Sequence, residues 1–178
     1  MNLFKEISPG KNPPQEINVV IEVPKGSSQK YEYDEEKEYF ELDRTLYSPL
    51  FFPFSYGFIP QTRSEDGDSL DVVLLSTFPV SPGCLVAARP IGLLLMEDEA
   101  GEDNKIIAVP QEKVDPRFKE IQEIQDLPEH LRKEIKEFFE SYKRLEPGKF
   151  VKLKGWEKAE KAKEVIRKAI QNYESENK

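Results

Sequence analysis

The chain has 178 residues, 38% of them hydrophobic and 34% charged, with a formal net charge of −8. That length supports one domain with its own core, and the acidic balance argues against a protein that grips nucleic acid non-specifically, which needs a basic excess. A single cysteine excludes an intrachain disulfide framework, and no apolar run approaches the ~18 residues of a membrane span. The opening MNLFKEISPGKNPP has no apolar segment followed by a cleavage site, so the expectation is a soluble, cytoplasmic domain covering 1–178.

INVVIEV (17–23) alternates apolar residues at 17, 19, 21 and 23, the period of a strand. PKGSSQ is a loop, and residues 30–44 read as a hairpin. On its first arm Lys30 and Glu32 share one face, ~7 Å apart along the strand. The aromatic, proline-rich stretch SPLFFPFSYGFIPQT (48–62) predicts irregular buried chain. An acidic turn then leads into the strand VVLLS. CLVAARPIGLLLMED (84–98) is a long apolar strand in which Pro90 implies an edge or a bulge, and Cys84 is expected in the core. DEAGEDNK is a turn, and IIAVP returns as a strand. From 126 onward, apolar residues at 131, 135, 138, 139, 142 and 145 form a helical stripe. Asp126 and Glu129 have capping-box spacing, and PG at 147–148 stops the helix. FVKLKGW is a short strand, and residues 156–173 form a second amphipathic helix. Many strands followed by helices predict an α+β domain, mainly β, with a closed or strongly curved sheet and helices packed outside it.

The stretch EDGDSLD (65–71) puts Glu65, Asp66, Asp68 and Asp71 into seven positions. Like charges 4 Å apart repel by ~1 kcal/mol in water and ~4 kcal/mol at an effective dielectric of 20. Taken alone, such a cluster is most often a solvated turn. Yet Asp66, Asp68 and Asp71 precede a rigid strand, and a hard divalent cation would relieve their repulsion. The spacing is not that of an EF-hand, because Leu70 and Asp71 fall where Asp or Asn and then Gly are required. A second acidic group flanks the DEAGEDNK turn, whose ends bring Asp98 and Asp103 together. Asp103 and Lys105 have the same parity and should face the same way. Lys30, Arg44, Lys105 and Lys143 are single cations among acidic or aromatic neighbours, a mixture that suits a metal-bridged polyanion. Tyr142 lies on the helical stripe and reads equally well as a core aromatic with its hydroxyl at the edge. Other chemistries have little support. The one histidine, His130, falls at an exposed helix start, and the chain has no phosphate-binding glycine loop or paired Cys/His zinc motif.

At these residues a family resemblance emerges. DGDSLDV resembles the D-G-D-P-x-D motif of the family I soluble inorganic pyrophosphatases, prokaryotic type. PGKNPP with INVVIEVP, KYEYD, LDR, FPFSYGFIPQT, RPIGLLLMEDEAGEDNKIIAVP, FFESYK and VKLKGW resemble further family segments in the family's order, from about Gly10 to Trp156. The resemblance implies a five-stranded, OB-like closed β-barrel with flanking α-helices, a homohexamer, and hydrolysis of pyrophosphate by several Mg²⁺ ions per site, with Mn²⁺ or Zn²⁺ as substitutes. It implies metal ligation by Asp66, Asp71 and Asp103, with Asp98 and Glu32 in supporting parts. Asp68 would take a proton from the attacking water, and Lys30, Arg44, Tyr56, Lys105, Tyr142 and Lys143 would surround the phosphates. Three positions depart from the family pattern: Ser69 replaces the usual Pro, Phe52 a common Tyr, and Ser55 a common Asn. From the residues alone, a phosphohydrolase acting on nucleotides or phosphomonoesters and a non-enzymatic binding module on the same barrel remain the alternatives.

Overall fold

The computed structural model describes residues 1–65 and 67–177. Nine strands and two α-helices appear among them, in the order β1 Ile17–Val23, β2 Gln29–Asp34, β3 Tyr39–Thr45, β4 Ser55–Ile59, β5 Leu70–Leu74, β6 Leu85–Asp98, β7 Gly101–Glu102, β8 Lys105–Pro110, α1 Glu129–Ser141, β9 Val151–Lys158 and α2 Ala159–Glu176. Pairing runs β1–β4–β5–β8–β6 and returns from β6 to β1, which closes a ring of five strands. This is the OB-like barrel that the resemblance implied. The β5–β8 pair is parallel and the other pairs of the ring are antiparallel. β9 extends the sheet along β6, and β2–β3 forms a separate hairpin.

Both faces of the ring strands are covered, which is why they read as apolar runs rather than strict alternations. In β5, Leu70, Val72 and Leu74 join one core with Ala162, Ile166 and Ala169 of α2. Val73 joins the other, with Ile135, Phe138 and Phe139 of α1. β8 divides the same way, Ile106 and Ala108 against Ile107 and Val109. In β6 the register shifts between Pro90 and Gly92. The extra residue flips the parity, so Val86 and Ala88 share a core with Leu93, while Leu94 and Met96 turn to the other. Pro90 therefore sits at a bulge, as its missing N–H demands.

Four expectations need correction. The stretch 48–62 is not irregular throughout: Ser55–Ile59 is a fully buried strand. Its Gly57 lets the backbone of β1 come so close that a Cβ there would lie 1.9 Å from the Val20 carbonyl oxygen. Asp126 does not cap α1. It closes the preceding 3₁₀ turn, accepting from the N–H groups of Gln122 and Glu123, and Pro128 occupies the N-cap of α1. The helix ends at Ser141 rather than at the PG pair, because the N–H groups of Arg144 and Glu146 turn back to Ser141 and Lys143. That leaves Leu145 exposed. Cys84 is exposed too, in the turn before β6. No described helix is long and apolar enough to cross a membrane.

Candidate active site

The starts of β5 and β8 and the end of β6 meet at one end of the barrel, because β5 and β8 run parallel and β6 runs against β8. The parallel register sets Val72 beside Ile106, so the residues just before them, Asp71 and Lys105, are neighbours. The β6–β7 turn pairs Asp98 with Gly101 and brings Asp103 back beside them. In the β2–β3 hairpin Lys30 lies opposite Arg44, and the end of α1 delivers Tyr142 and Lys143. All the described candidates from the sequence, namely Lys30, Glu32, Arg44, Tyr56, Asp68, Asp71, Asp98, Asp103, Lys105, Tyr142 and Lys143, line one cavity of about 790 Å³. Asp66 lies outside the described residues. His130 stands exposed at the start of α1, as expected.

The centre of the site is Lys105, whose side chain is 3% exposed and whose ammonium pairs with both Asp71 and Asp103. Burial alone would lower the affinity of this lysine for its proton, but the two carboxylates outweigh burial and raise it above its ordinary value. Burial pushes Asp71 up, yet Lys105, the Tyr56 hydroxyl and Lys30 together hold it below the usual carboxylate range. Asp103 ends raised, by burial and by Asp71 beside it. The two carboxylates thus compete for one cation. Lys143 Nζ lies 2.8 Å from Asp98 Oδ2 and holds that carboxyl low against the effect of burial. Arg44 Nε meets Glu146 Oε1 at 2.9 Å, and Lys30 bridges to Glu32 and, at 3.7 Å, to Asp43.

The aromatic residues back this charged layer. Tyr142 is 6% exposed and stacks on Phe138 at 5.2 Å, so it is both a core aromatic and a cavity wall. Phe52, the position lacking a hydroxyl, lies under the site with its ring 4.7 Å from Phe138 and 5.9 Å from Tyr56. The Ser55 hydroxyl pairs instead with that of Ser76 at 3.1 Å.

Two buried carboxylates on the cavity wall were missed from the sequence. Glu22 is 8% exposed, accepts from the Tyr33 N–H at 2.8 Å, and is pushed up to about 8, chiefly by burial. A lone glutamate inside the apolar alternation INVVIEV was its signal. Glu146 follows α1 in a polar run with nothing to mark it.

The donors in the cavity are carboxylate and hydroxyl oxygens, the set a hard divalent cation takes. Among the described residues no three His, Cys, Asp or Glu side chains already converge on one point. The Lys105 ammonium supplies the charge that a shared cation would otherwise bring between Asp71 and Asp103. The carboxylates fit such an ion, and the neighbouring Lys30, Arg44 and Lys143 fit an anionic ligand bound with it.

Comparison with known proteins agrees. The model of the family described as inorganic pyrophosphatase matches residues 19–174. The inorganic pyrophosphatase of Saccharolobus solfataricus is 54% identical over 166 residues, 93% of this chain and 96% of that protein. That of Aquifex pyrophilus is 51% identical over 170 residues, 96% of each. The crystal structure of the inorganic pyrophosphatase from Thermus thermophilus superposes with a TM-score of 0.94 at 48% identity, covering 98% of this chain and 99% of that one. With its fold and nearly its whole length accounted for in this way, the chain belongs to the inorganic pyrophosphatase family.

Proposed function

We propose that this chain hydrolyses pyrophosphate to two phosphates with Mg²⁺, using a water activated within the carboxylate cluster. The observation that carries the reading is the buried Lys105 between Asp71 and Asp103, with Lys30, Arg44 and Lys143 on the same cavity. Asp71 and Asp103 would hold the metal with Asp66, which is included on sequence position alone. Asp98 and Glu32 would receive metal arriving with the substrate. Bound Mg²⁺ supplies charge neutralisation and acidifies water. Asp68, on the cavity wall beside the cluster, accepts the proton from the attacking water. Lys30, Arg44, Lys105 and Lys143 neutralise the phosphate oxygens as charge moves to the leaving phosphate, the electrostatic work that phosphoryl transfer requires. The Tyr56 and Tyr142 hydroxyls stay protonated, since burial raises both well above their ordinary values, and so act as donors.

Phosphate release tests this directly. Fast release from pyrophosphate with Mg²⁺, abolished by chelator, with little from ATP or a phosphate monoester, is the expected result. Preference for ATP or the ester would assign the site to another phosphohydrolase. Mn²⁺ and Zn²⁺ are the expected substitutes for Mg²⁺. The assembly is a homohexamer, for which exposed Tyr47, Phe51 and Phe150 are available apolar contacts, and sedimentation reads the subunit number. The working compartment is the cytoplasm, with neither nucleic acid nor membrane as partner.

A further inference from the structure

We propose that Glu146 is the positioning residue of Arg44, holding its guanidinium on the cavity wall and thereby setting the affinity of the site for pyrophosphate. The inference rests on the function proposed above. A carboxylate on the wall of an anion-binding cavity repels the ligand unless it holds a metal or aims a cation. Glu146 lines the cavity with its side chain 8% exposed, and its Oε1 accepts from Arg44 Nε at 2.9 Å. The carboxylate is turned to a cation that the cavity needs for phosphate.

Arg44 needs such a hold. The β2–β3 hairpin is a sheet of its own, so no backbone ladder fixes Arg44 against the ring. The register inside the hairpin slips by one residue, because Lys30 pairs with Arg44 and Tyr31 with Leu42. Asp43 is the extra residue of that bulge. Consecutive strand residues face opposite ways, yet Asp43 and Arg44 pair with each other, as a bulge permits. Asp43 takes the Nη1 end of the guanidinium and Glu146 takes Nε, while no described residue bonds to Nη2. Two carboxylates fix the plane of the fork and leave its remaining donors for a phosphate. The two anchors differ. Asp43 is the chain neighbour of Arg44 and moves with the hairpin. Glu146 belongs to the turn after α1: its N–H donates to the Lys143 carbonyl at 2.9 Å, its carbonyl accepts from the Lys149 N–H at 3.2 Å, and the following Pro147 restricts its backbone. The bond to Glu146 therefore sets Arg44 of the hairpin in place against Lys143 at the end of α1. These are cations from two separate elements that one diphosphate would engage together.

The test is calorimetric titration of methylenediphosphonate, a non-hydrolysable pyrophosphate analogue, into the full chain at saturating Mg²⁺. The chains compared are the parent, Glu146→Ala, Glu146→Gln, Glu146→Asp, Arg44→Met and the double variant Arg44→Met/Glu146→Ala. In parallel, kcat/KM is measured for pyrophosphate, and Mg²⁺ binding for the metal-stripped chain. A misdirected guanidinium forfeits a charge-assisted hydrogen bond, on the order of tenfold in affinity. We expect that loss in Glu146→Ala, in analogue affinity and in kcat/KM alike, with parental Mg²⁺ binding. Glu146→Gln, which keeps an oxygen for Arg44 Nε, should lose less. Once Arg44 is replaced by Met, the further change Glu146→Ala should cost nothing. Parental or tighter analogue binding in Glu146→Ala overturns the assignment, as does an equal loss in the Arg44→Met background. A matching loss of Mg²⁺ affinity overturns it too, since Glu146 would then serve the metal. If Glu146→Ala does not fold, Glu146→Asp, a methylene shorter, decides: weaker analogue binding supports the role, and parental binding overturns it. A parent that neither binds the analogue nor hydrolyses pyrophosphate refutes the proposed function and this inference with it, whereas a parent that does both no better than Glu146→Ala refutes the inference alone.

Discussion

Glu22 shows how one buried side chain records the cost of the site. Its carboxyl is pushed from 4.5 to about 8, mainly by burial and further by Asp71. Below pH 4.5 it is protonated in both the folded and the unfolded chain. Between 4.5 and 8 the unfolded chain ionises and the folded one does not, so stability falls as pH rises, by about 1.4 kcal/mol per pH unit while the difference lasts. Above pH 8 the loss is complete. Glu22→Gln keeps an oxygen to accept from Tyr33 and removes the ionisation. It should stabilise the metal-free protein increasingly from pH 4.5 to 8, by a few kcal/mol at most, and by a constant amount above pH 8. Thermal melts across that range in chelator check this, and a gain independent of pH would mean that Glu22 does not titrate as described. Asp68→Asn tests the opposite kind of residue, one whose value is chemical. As the proposed proton acceptor, Asp68 should cost ~10²–10⁴ in turnover when replaced, while calorimetric Mg²⁺ binding stays near the parent's. Turnover at the parent rate would remove Asp68 from that role.

At the level of elements, the barrel closes because β4 can lie against β1 without side-chain bulk at Gly57. A methyl there would sit 1.9 Å from the Val20 carbonyl oxygen and 2.9 Å from the Ile21 Cα, and neither is the movable end of a flexible side chain. Gly57→Ala should therefore force the two strands apart. The expected loss is several kcal/mol, at the upper end for single substitutions, read as a lowered urea midpoint; a change within about 0.5 kcal/mol would show that the pair has slack. This contact also explains why β4 was illegible. Prolines and aromatics mask its first half, and its small residues, Ser55 and Gly57, are there for close approach rather than propensity. Periodicity did reveal β1 and both helices, β6 with its bulge at Pro90 was read from its long apolar run, and the hairpin was read as well although its strands contain no buried residue. Helix ends were less readable: Asp126 has the right spacing for α1 but serves the turn before it. The site was legible in its acids, which repel without a reason local to the turn, and in the motif order. Glu146 was not, because what matters about it is its partner Arg44, 102 residues away, which no local pattern encodes.

Over the whole molecule, the cavity is where separately folded pieces converge: the ring through Asp71, Asp98 and Lys105, the hairpin through Lys30 and Arg44, and the end of α1 through Tyr142 and Lys143. Ion pairs join these pieces across the cavity, Arg44 to Glu146 and Lys143 to Asp98 among them. The net charge of −8 adds a general repulsion. A divalent cation held by carboxylates from different strands would cross-link them and cancel part of that repulsion, and the unfolded chain offers no such arrangement. Binding to the folded state alone stabilises by about 2.7 kcal/mol at a ligand concentration of a hundred times Kd, and for a chain of this size each kcal/mol raises Tm by roughly 2–4 °C. Saturating Mg²⁺ should therefore raise Tm by about 5–10 °C over the chelated protein. The rise should grow with the logarithm of Mg²⁺ concentration rather than with ionic strength. An equal rise from monovalent salt at matched ionic strength would mean screening of surface charge, and no rise at all would mean that the acids of this cavity hold no divalent ion.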